Sequence, residues 1–553
     1  MKIPNFKAYL SDPGLFRPQM GDNPRRTWEQ EKRLCTPVFI TFFFFRWLFP
    51  DLNFGKTYAN SDFRYSEKSQ GENFYTMDFK QKKQNQIPDD INTIHLIGVC
   101  GSAMGALACM LRDMGFEVTG SDQGIYPPMS NFLADRGITT AEGFSAKNIA
   151  YGPDLVIVGN VVPRNNPEAE KMFGMGLHFC SMPQAVNHFL AKDKKTFVIT
   201  GTHGKTSTSS LLAWLFHEAG LDPSFIIGGI LKNFDNSYGL GKGDVMVIEG
   251  DEYDTAFFDK GPKFLHYPPF MAVLTSVEFD HADIFRDLDH VKSAFGTFVS
   301  GMSPESTLFA YDADENIAEL ITGNRTCGMR TYGRNEDSSW CLGKISARVP
   351  WNSFEVLKEG KLFGRFRTKL MGEHNLLNAL SVIAIAHDMG IPADVISDAL
   401  EGFQGVRRRQ EVRGQKNGIT VMDDFAHHPT AVRETIRAVR PFYPQGRVIA
   451  IFEPRTNSSM RKVFQDVYSL SFDEADIVCI RKPSRLDKIQ PDERFSSEKL
   501  VSDLKKRGRD AHHFHDTDVL MDFLVREAER GDVLLIMSNG GFDNIHERLL
   551  ERL

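Results

Sequence analysis

From Ile91 onward, short apolar runs recur along the chain, each followed by a turn and then by a helical pattern. The stretch TIHLIGVCGSAMGALACMLRDMGFEVTGSD reads as an apolar strand, a glycine-rich turn, an amphipathic helix and a second short strand ending at Asp122. Further strands are predicted at PDLVIVGN (153–160) and LHFCSM (177–182), with a helix after PQAVN. A second block opens with the strand KTFVITG at Lys195 and the helix TSTSSLLAWLFHEAG. It continues through VMVIEG and FMAVLTSV, carries β-like runs such as LFGRFRTKL within 303–370, and ends near Gly402. A third block begins near Val412 and alternates strand and helix through GITVMDD, RVIAIFEP, ADIVCIRK and DVLLIMSNG. Such alternation predicts parallel sheets covered by helices, an α/β fold of three consecutive domains at 91–193, 194–410 and 411–553.

The first ninety residues differ. VFITFFFFRWLF (38–49) is strongly apolar, but it is short for a membrane span and is interrupted by Arg46. It lies late for a signal-peptide core and lacks a small-residue cleavage site. The polar run through KQKKQNQIPDD reads as linker. Residues 1–90 are therefore expected to be a poorly structured extension, with 1–76 contributed by an over-long gene model and Met77 as the natural start. Over the 553 residues, 41% hydrophobic content with 25% charge is that of a globular protein with real cores. A net charge of −7 gives no electrostatic reason to expect nucleic acid or an anionic membrane as partner. The seven cysteines are dispersed, without a C-x-x-C pair, which suggests reduced thiols in a cytoplasm.

Candidate chemistry gathers at strand ends. In ITGTHGKTS, the loop 201–206 lies between a strand and a helix, where backbone amides can hold phosphates. Gly201 and Gly204 permit tight turns, Lys205 offers a cation and Thr206 a hydroxyl for Mg²⁺. Ile199 breaks the strict G-x-x-x-x-G-K-[ST] spacing, so a generic ATPase is not the best match. After the next strand come Glu249, Asp251, Glu252 and Asp254, and after another Glu278, Asp280 and His281. Either cluster alone reads equally as a solvated loop; two beside a phosphate loop suggest a magnesium–phosphate site. GVCGSAMG (98–105) resembles a dinucleotide fingerprint with Asp122 at ribose distance, but Cys100 replaces its second glycine, which weakens the case for NAD. Asn375 and Asn378 share a helical face suited to a base edge. Arg407, Arg408, Arg409 and Arg413 form either a solvated basic run or a clamp on phosphate charge. Asp423, Asp424, His427 and His428 could hold a metal, a ribose or a substrate.

The motifs GVCGSAMG, GTHGKTS, EGDE, EFDHAD, GEHNLLN, FQGVRRR and DDFAHHP, in that order from about residue 92, resemble the Mur ligases, the ATP-dependent amide-forming enzymes of peptidoglycan synthesis. The resemblance implies a Rossmann-like N-terminal domain that holds a UDP-sugar through Gly98, Gly101, Ser102, Gly105, Asp122 and Asn160. It implies a central P-loop ATPase-like domain for ATP and a Rossmann-like C-terminal domain that brings the amine. ATP would be held by Gly201, Thr202, His203, Gly204, Lys205, Thr206 and Ser207, with Asn375 and Asn378 at adenine, Asp424 at the ribose and Arg408 at the transferred phosphate. Thr206, Glu249 and His281 would hold Mg²⁺, so that Lys205, Glu249, His281 and Arg408 carry catalysis. His427, Arg455 and Asn457 are candidates for the incoming peptide. The long form EGDEYDTAFFDKGPKFLHYPP departs from the L-alanine-adding members, which read E-A-D-E-S-D. It is similar to members that join L-Ala-γ-D-Glu-meso-diaminopimelate to UDP-N-acetylmuramate in peptidoglycan recycling, through an acyl phosphate. An L-alanine ligase, a Rossmann oxidoreductase and a non-catalytic nucleotide sensor remain as alternatives. Phe425 stands where many relatives have Tyr. A cytoplasmic enzyme with small-molecule substrates, and neither nucleic acid nor membrane as partner, is expected.

Overall fold

The computed structural model describes residue 77 and residues 79–553, apart from 128, 324, 484, 485, 487 and 488. The reading of 1–76 as an over-long gene model falls outside the described residues. Within the rest of the expected extension, Phe79–Gln84 forms a helix. Asn85 Nδ2 then donates to Phe179 O at 3.0 Å and to Gln184 Oε1 at 3.2 Å, which ties this segment to the first sheet.

That sheet contains β1 (Thr93–Ile97), β2 (Glu117–Asp122), β3 (Thr139–Glu142), β4 (Leu155–Val158) and β5 (His178–Ser181). Their order is β3-β2-β1-β4-β5, all parallel. The chain runs outward from β1 on one side and places β4 on the other, so a crevice opens at the carboxyl end of β1. GVCG occupies it, with Gly98 at φ 84°.

The second sheet has ten strands in the order β17-β16-β15-β14-β13-β12-β6-β9-β7-β8. They are β6 (Lys195–Thr200), β7 (Ser224–Leu231), β8 (Asn236–Gly239), β9 (Val245–Gly250), β12 (Met271–Leu274), β13 (Thr307–Tyr311), β14 (Gly328–Gly333), β15 (Trp340–Arg348), β16 (Trp351–Lys358) and β17 (Lys361–Thr368). Between β9 and β12, β10 (Asp254–Ala256) and β11 (Asp259–Pro262) form a separate hairpin. The expectation of parallel sheets holds only for the middle of this one. The pairs β7–β8, β15–β16 and β16–β17 are antiparallel. Loop length explains the difference, because connections of two to four residues cannot make a parallel crossover. Glu359 and Gly360, at φ 49° and 73°, turn β16 into β17 with the positive φ pair of a tight hairpin.

The third sheet orders β18 (Glu411–Lys416), β19 (Ile419–Asp424), β23 (Val533–Met537), β20 (Val448–Phe452), β21 (Ile477–Arg481) and β22 (Asp510–Phe514). Only β18 runs antiparallel, entering β19 through Asn417 and Gly418 at φ 53° and 79°.

The β10–β11 hairpin has a packing role that its charged sequence did not announce. Phe257 and Phe258 leave the second sheet's territory and bury themselves among Val156, Val158, Met172 and Phe179 beside the first sheet. Phe258 meets Phe179 edge-on at 4.9 Å between ring centroids. The six cysteines among the described residues are buried and unpaired. No helix among them is long and apolar enough to cross a membrane.

Because the phenylalanine ring bridges two sheets, Phe258→Ala should cost about 3–5 kcal/mol through the cavity it leaves. Thermal melting should show the lowest transition moving down, with the third-sheet transition unchanged.

Candidate active site

Register at the centre of the second sheet sets the geometry. β6 pairs with β9 through Thr200↔Gly250 and with β12 through Leu274↔Thr200, so three strands end level. The loops that follow, 201–206, 251–254 and 275–281, are therefore neighbours at the carboxyl edge. They share a cleft of about 1950 Å³ with His374 and Asn378 from the helix Glu373–Asp388 and with Arg409, Asp424 and His428 from the third-sheet side. Ser102, from the first-sheet loop, lines the same cleft.

The helix Lys205–Glu218 begins at Gly204 without a side-chain cap. The helices at Ser102 and Glu373 likewise begin at glycines with no side-chain bond. By contrast Asn166, Asp287, Asp314 and Ser496 cap their helices. The three uncapped starts leave amide groups pointing at the cleft, where an anionic ligand can satisfy them. Two glycines of the loop are obligatory. A Cβ on Gly201 would stand 2.2 Å from Thr275 Oγ1, and one on Gly204 would stand 2.8 Å from Asn378 Oδ1.

Lys205 Nζ donates to Gly201 O and to Glu252 Oε2, each at 2.7 Å. Burial pushes its ammonium down, but Glu252 and Asp251 outweigh this and hold it above the ordinary lysine value. Glu252, only 3% exposed, also faces His281 Nε2 at 3.5 Å. His281 takes φ 52° and, against burial, is raised by Glu252 and Asp280. Glu249 accepts from Thr206 Oγ1 at 3.2 Å and from Gly228 N at 2.7 Å. Burial and the nearby Asp251 push its carboxyl up despite Lys205 and Arg409. Lys263, from the long insertion, pairs with Asp251 at 3.0 Å and holds that carboxyl low. Glu249, Asp251 and Glu252 thus face two lysines, which leaves the carboxylates in excess and makes the cluster attractive to a cation. Thr206, Glu249 and His281 supply the oxygen and nitrogen donors it needs.

Asp280 is held well below the usual carboxylate range against burial, chiefly by His281 and His427. Burial would raise Glu278, but His203 and Thr430 bring it down to about 2. Burial drives His428 and His374 each down to about 4.

The arginine expected at the transferred phosphate, Arg408, lines the cleft together with Arg407 and Arg409. Arg408 takes φ 62° and donates from Nη2 to Ser538 O at 2.6 Å and Gly540 O at 2.7 Å, with Asp423 at 3.4 Å from Nε. Three partners of the third domain occupy it. Its neighbour Arg409 lies over the Phe425 ring at 4.8 Å and acts electrostatically on Asp424 and Glu249. A run of three arginines does not show which one is tied to the third domain, because the backbone turn that decides it is tertiary. Asp424 is committed to amides as well, accepting from Gln410 N and Ala426 N at 2.8 Å each. Asn378 lies against Gly204, while Asn375 donates to Met371 O at 2.9 Å.

The other expected residues fall in two places. Asp122 accepts from Cys100 N at 2.8 Å and so closes the glycine loop in which Gly98 and Gly101 turn. A Cβ on Gly105 would meet Met129 Sδ at 2.5 Å, which makes Gly105 a packing residue, and Asn160 is exposed. Across the cleft, His427 Nε2 lies 3.9 Å from Asp280, and Asn457 Nδ2 donates to Asp283 at 2.8 Å. Arg455 faces Glu453 at 3.6 Å and packs against Gly540.

Comparison with known proteins agrees with this architecture. Three family profiles match in series: the Mur ligase family, catalytic domain (93–194), the Mur ligase middle domain (199–386) and the Mur ligase, glutamate ligase domain (408–540). The chain is 38% identical over 462 residues to UDP-N-acetylmuramate–L-alanyl-γ-D-glutamyl-meso-2,6-diaminoheptandioate ligase of Escherichia coli, covering 83% of this chain and 98% of that one. It is 31% identical over 466 residues to UDP-N-acetylmuramate–L-alanine ligase of Caldanaerobacter subterraneus, covering 83% and 97%. Among solved structures, a murein peptide ligase of Psychrobacter arcticus superposes with a TM-score of 0.63 at 32% identity, covering 84% and 98%.

The neutral histidines carry a pH signature. Between about pH 6.5, the unfolded value, and pH 4, the unfolded chain takes up protons on His374 and His428 that the folded protein refuses. Stability should therefore fall as pH drops through that window and keep falling below it, where Glu278, held at about 2 against an ordinary 4.5, loses its own contribution. Denaturant melts of His374→Asn should show a shallower decline than the parent chain.

Proposed function

The chain belongs to the Mur ligase family, and from that premise we propose that it joins L-alanyl-γ-D-glutamyl-meso-diaminopimelate to UDP-N-acetylmuramate, in the recycling of peptidoglycan. The observation that carries this amine is the 38% identity to a tripeptide ligase across nearly its whole length, against 31% for an L-alanine ligase. On this reading residues 91–193 hold the UDP-sugar, 194–410 hold ATP, and 411–553 bring the peptide. The enzyme would work in the cytoplasm, where nucleotide substrates are available.

ATP supplies the phosphoryl group that turns the muramyl carboxylate into an acyl phosphate, which the peptide amine then attacks with release of phosphate. The chain's own residues prepare this. The uncapped amides and Lys205 take the phosphates, and Thr206, Glu249 and His281 would hold Mg²⁺. Arg409, facing Glu249 across the cleft, is placed to meet charge that builds on the transferred group. The third domain also seals the site. Ser458 Oγ accepts from Ala282 N at 3.1 Å, and Thr430 Oγ1 donates to Glu278 at 2.7 Å. Such closure keeps water from an acyl phosphate that would otherwise hydrolyse. Arg455 and Asn457 line the seam near these contacts and are proposed to receive the peptide's carboxylates, with His427 beside them.

ADP release from purified protein with Mg·ATP and UDP-N-acetylmuramate tests the assignment. Turnover is expected with the tripeptide and not with L-alanine; turnover with L-alanine alone would make this a de novo ligase, and none with either amine a sensor. Arg409→Ala should lower kcat about 10²–10³-fold. Arg408→Ala should act mainly on stability, through the lost ties to Ser538 and Gly540.

A further inference from the structure

Apart from the proposed Mg²⁺ donors, a second set of ligand atoms converges in the cleft. His203 Nε2 lies 3.6 Å from Glu278 Oε2, and His428 Nδ1 lies 3.7 Å from the same oxygen. All three donor atoms fall within 4.8 Å of one another, and the two imidazole rings are 4.6 Å apart between centroids. His203 Nε2 is buried without a hydrogen-bond partner. His203 and Glu278 belong to the central domain. His428 stands at the start of the helix Pro429–Val439 of the third sheet.

The surroundings fix the donors as a metal would require. His428 Nε2 lies 3.2 Å from Phe279 O, so it carries the proton and leaves a lone pair on Nδ1. That nitrogen accepts only a long contact, 3.3 Å, from Thr430 N. Thr430 Oγ1 donates to Glu278 Oε2 at 2.7 Å and orients the carboxylate, as second-sphere groups do at metal sites. Bonds of about 2.0–2.2 Å to a tetrahedral zinc place neighbouring donors about 3.3–3.6 Å apart. The observed separations need only a few tenths of an ångström of closure at the two Glu278 pairs. Two imidazoles and one carboxylate favour zinc-like ions over magnesium, which prefers oxygen donors in an octahedron.

We propose that His203 Nε2, Glu278 Oε2 and His428 Nδ1 form a binding site for a divalent transition metal of the zinc class, separate from the Mg²⁺ donors, which joins the phosphate loop to the third domain. The ion occupies three protein ligands and leaves its fourth position to water or to a ligand in the cleft. A chain with this site filled holds its central and third domains in the closed arrangement.

The probe is the metal alone. Chelator-treated full-length protein, without nucleotide and in millimolar Mg²⁺, is titrated with Zn²⁺ by calorimetry and with Co²⁺ by visible absorption. One Zn²⁺ per chain with micromolar or tighter Kd is expected, with the intense bands of tetrahedral Co²⁺. Glu278→Gln and His428→Asn should each weaken binding at least tenfold. Asn at 428 keeps an acceptor for Thr430 N, and thermal melting shows whether each variant folds. A surface cluster at Glu498, His513 and His515 is the competing site, so His515→Gln serves as control and should leave the stoichiometric site intact. Absence of stoichiometric binding in the parent chain would overturn the proposal. So would binding that survives both Glu278→Gln and His428→Asn, or that disappears in His515→Gln. None of these results bears on which amine the enzyme uses, since turnover is not read.

Discussion

Three parallel strands of the second sheet, β9, β6 and β12, end at the same level, and the chemistry of the molecule is built on that edge. Each strand releases its chain into a loop with a different donor type: amides and an ammonium after β6, carboxylates after β9, a carboxylate pair and an imidazole after β12. Pulling the strands out of register by one residue would separate Thr206 from Glu249 and turn every buried side chain to the wrong face. The buried pair Lys205–Glu252 then fastens the first two loops, and His281 fastens the third to the same carboxylate. Removing one partner would strand a buried charge, so the network holds together or fails together.

The same edge explains the unequal capping of the helices. Where a helix start faces solvent or a neighbouring loop, Asn, Asp or Ser satisfies its first amides. At three starts that face the cleft glycine stands instead and the amides stay available, whereas His428, also in the cleft, caps its own helix. Local helix stability is thereby given up at Gly101, Gly204 and Gly372, and an anionic ligand can restore it. Affinity for phosphates and the stability of these helix starts are two aspects of one arrangement.

Domain coupling is carried by few groups. On one side the aromatic pair Phe257–Phe258 anchors an insertion of the central domain in the core beside the first sheet. On the other, polar contacts from Glu278, Ala282 and Asp283 meet Thr430, Ser458 and Asn457, and Phe279 and Met371 pack against the third domain's core. An apolar anchor resists separation, whereas a set of hydrogen bonds exchanges readily with water.

Much of this could be read along the chain. Strand–turn–helix periodicity located the parallel cores, and Gly201, Lys205 and Thr206 pointed to phosphate because loop, cation and hydroxyl are local features of nine residues. Glu249, next to last in β9, and His281, in the loop after β12, were candidates for the same reason: each follows an apolar run. The hairpins of β16–β17 and β18–β19 are local features too: Asn417-Gly418 is a turn signal carried by two adjacent residues. Contacts between distant segments were a different matter. No local pattern says that Arg408 is tied to Ser538 and Gly540, that Asp424 spends both oxygens on amides, or that Phe257 and Phe258 belong to another domain's core. Nor does spacing reveal that His203, Glu278 and His428, separated by more than two hundred residues, share one small volume. Periodicity encodes which face of an element is buried; which groups meet depends on how the elements are turned against each other, and that is settled only when all three sheets have packed.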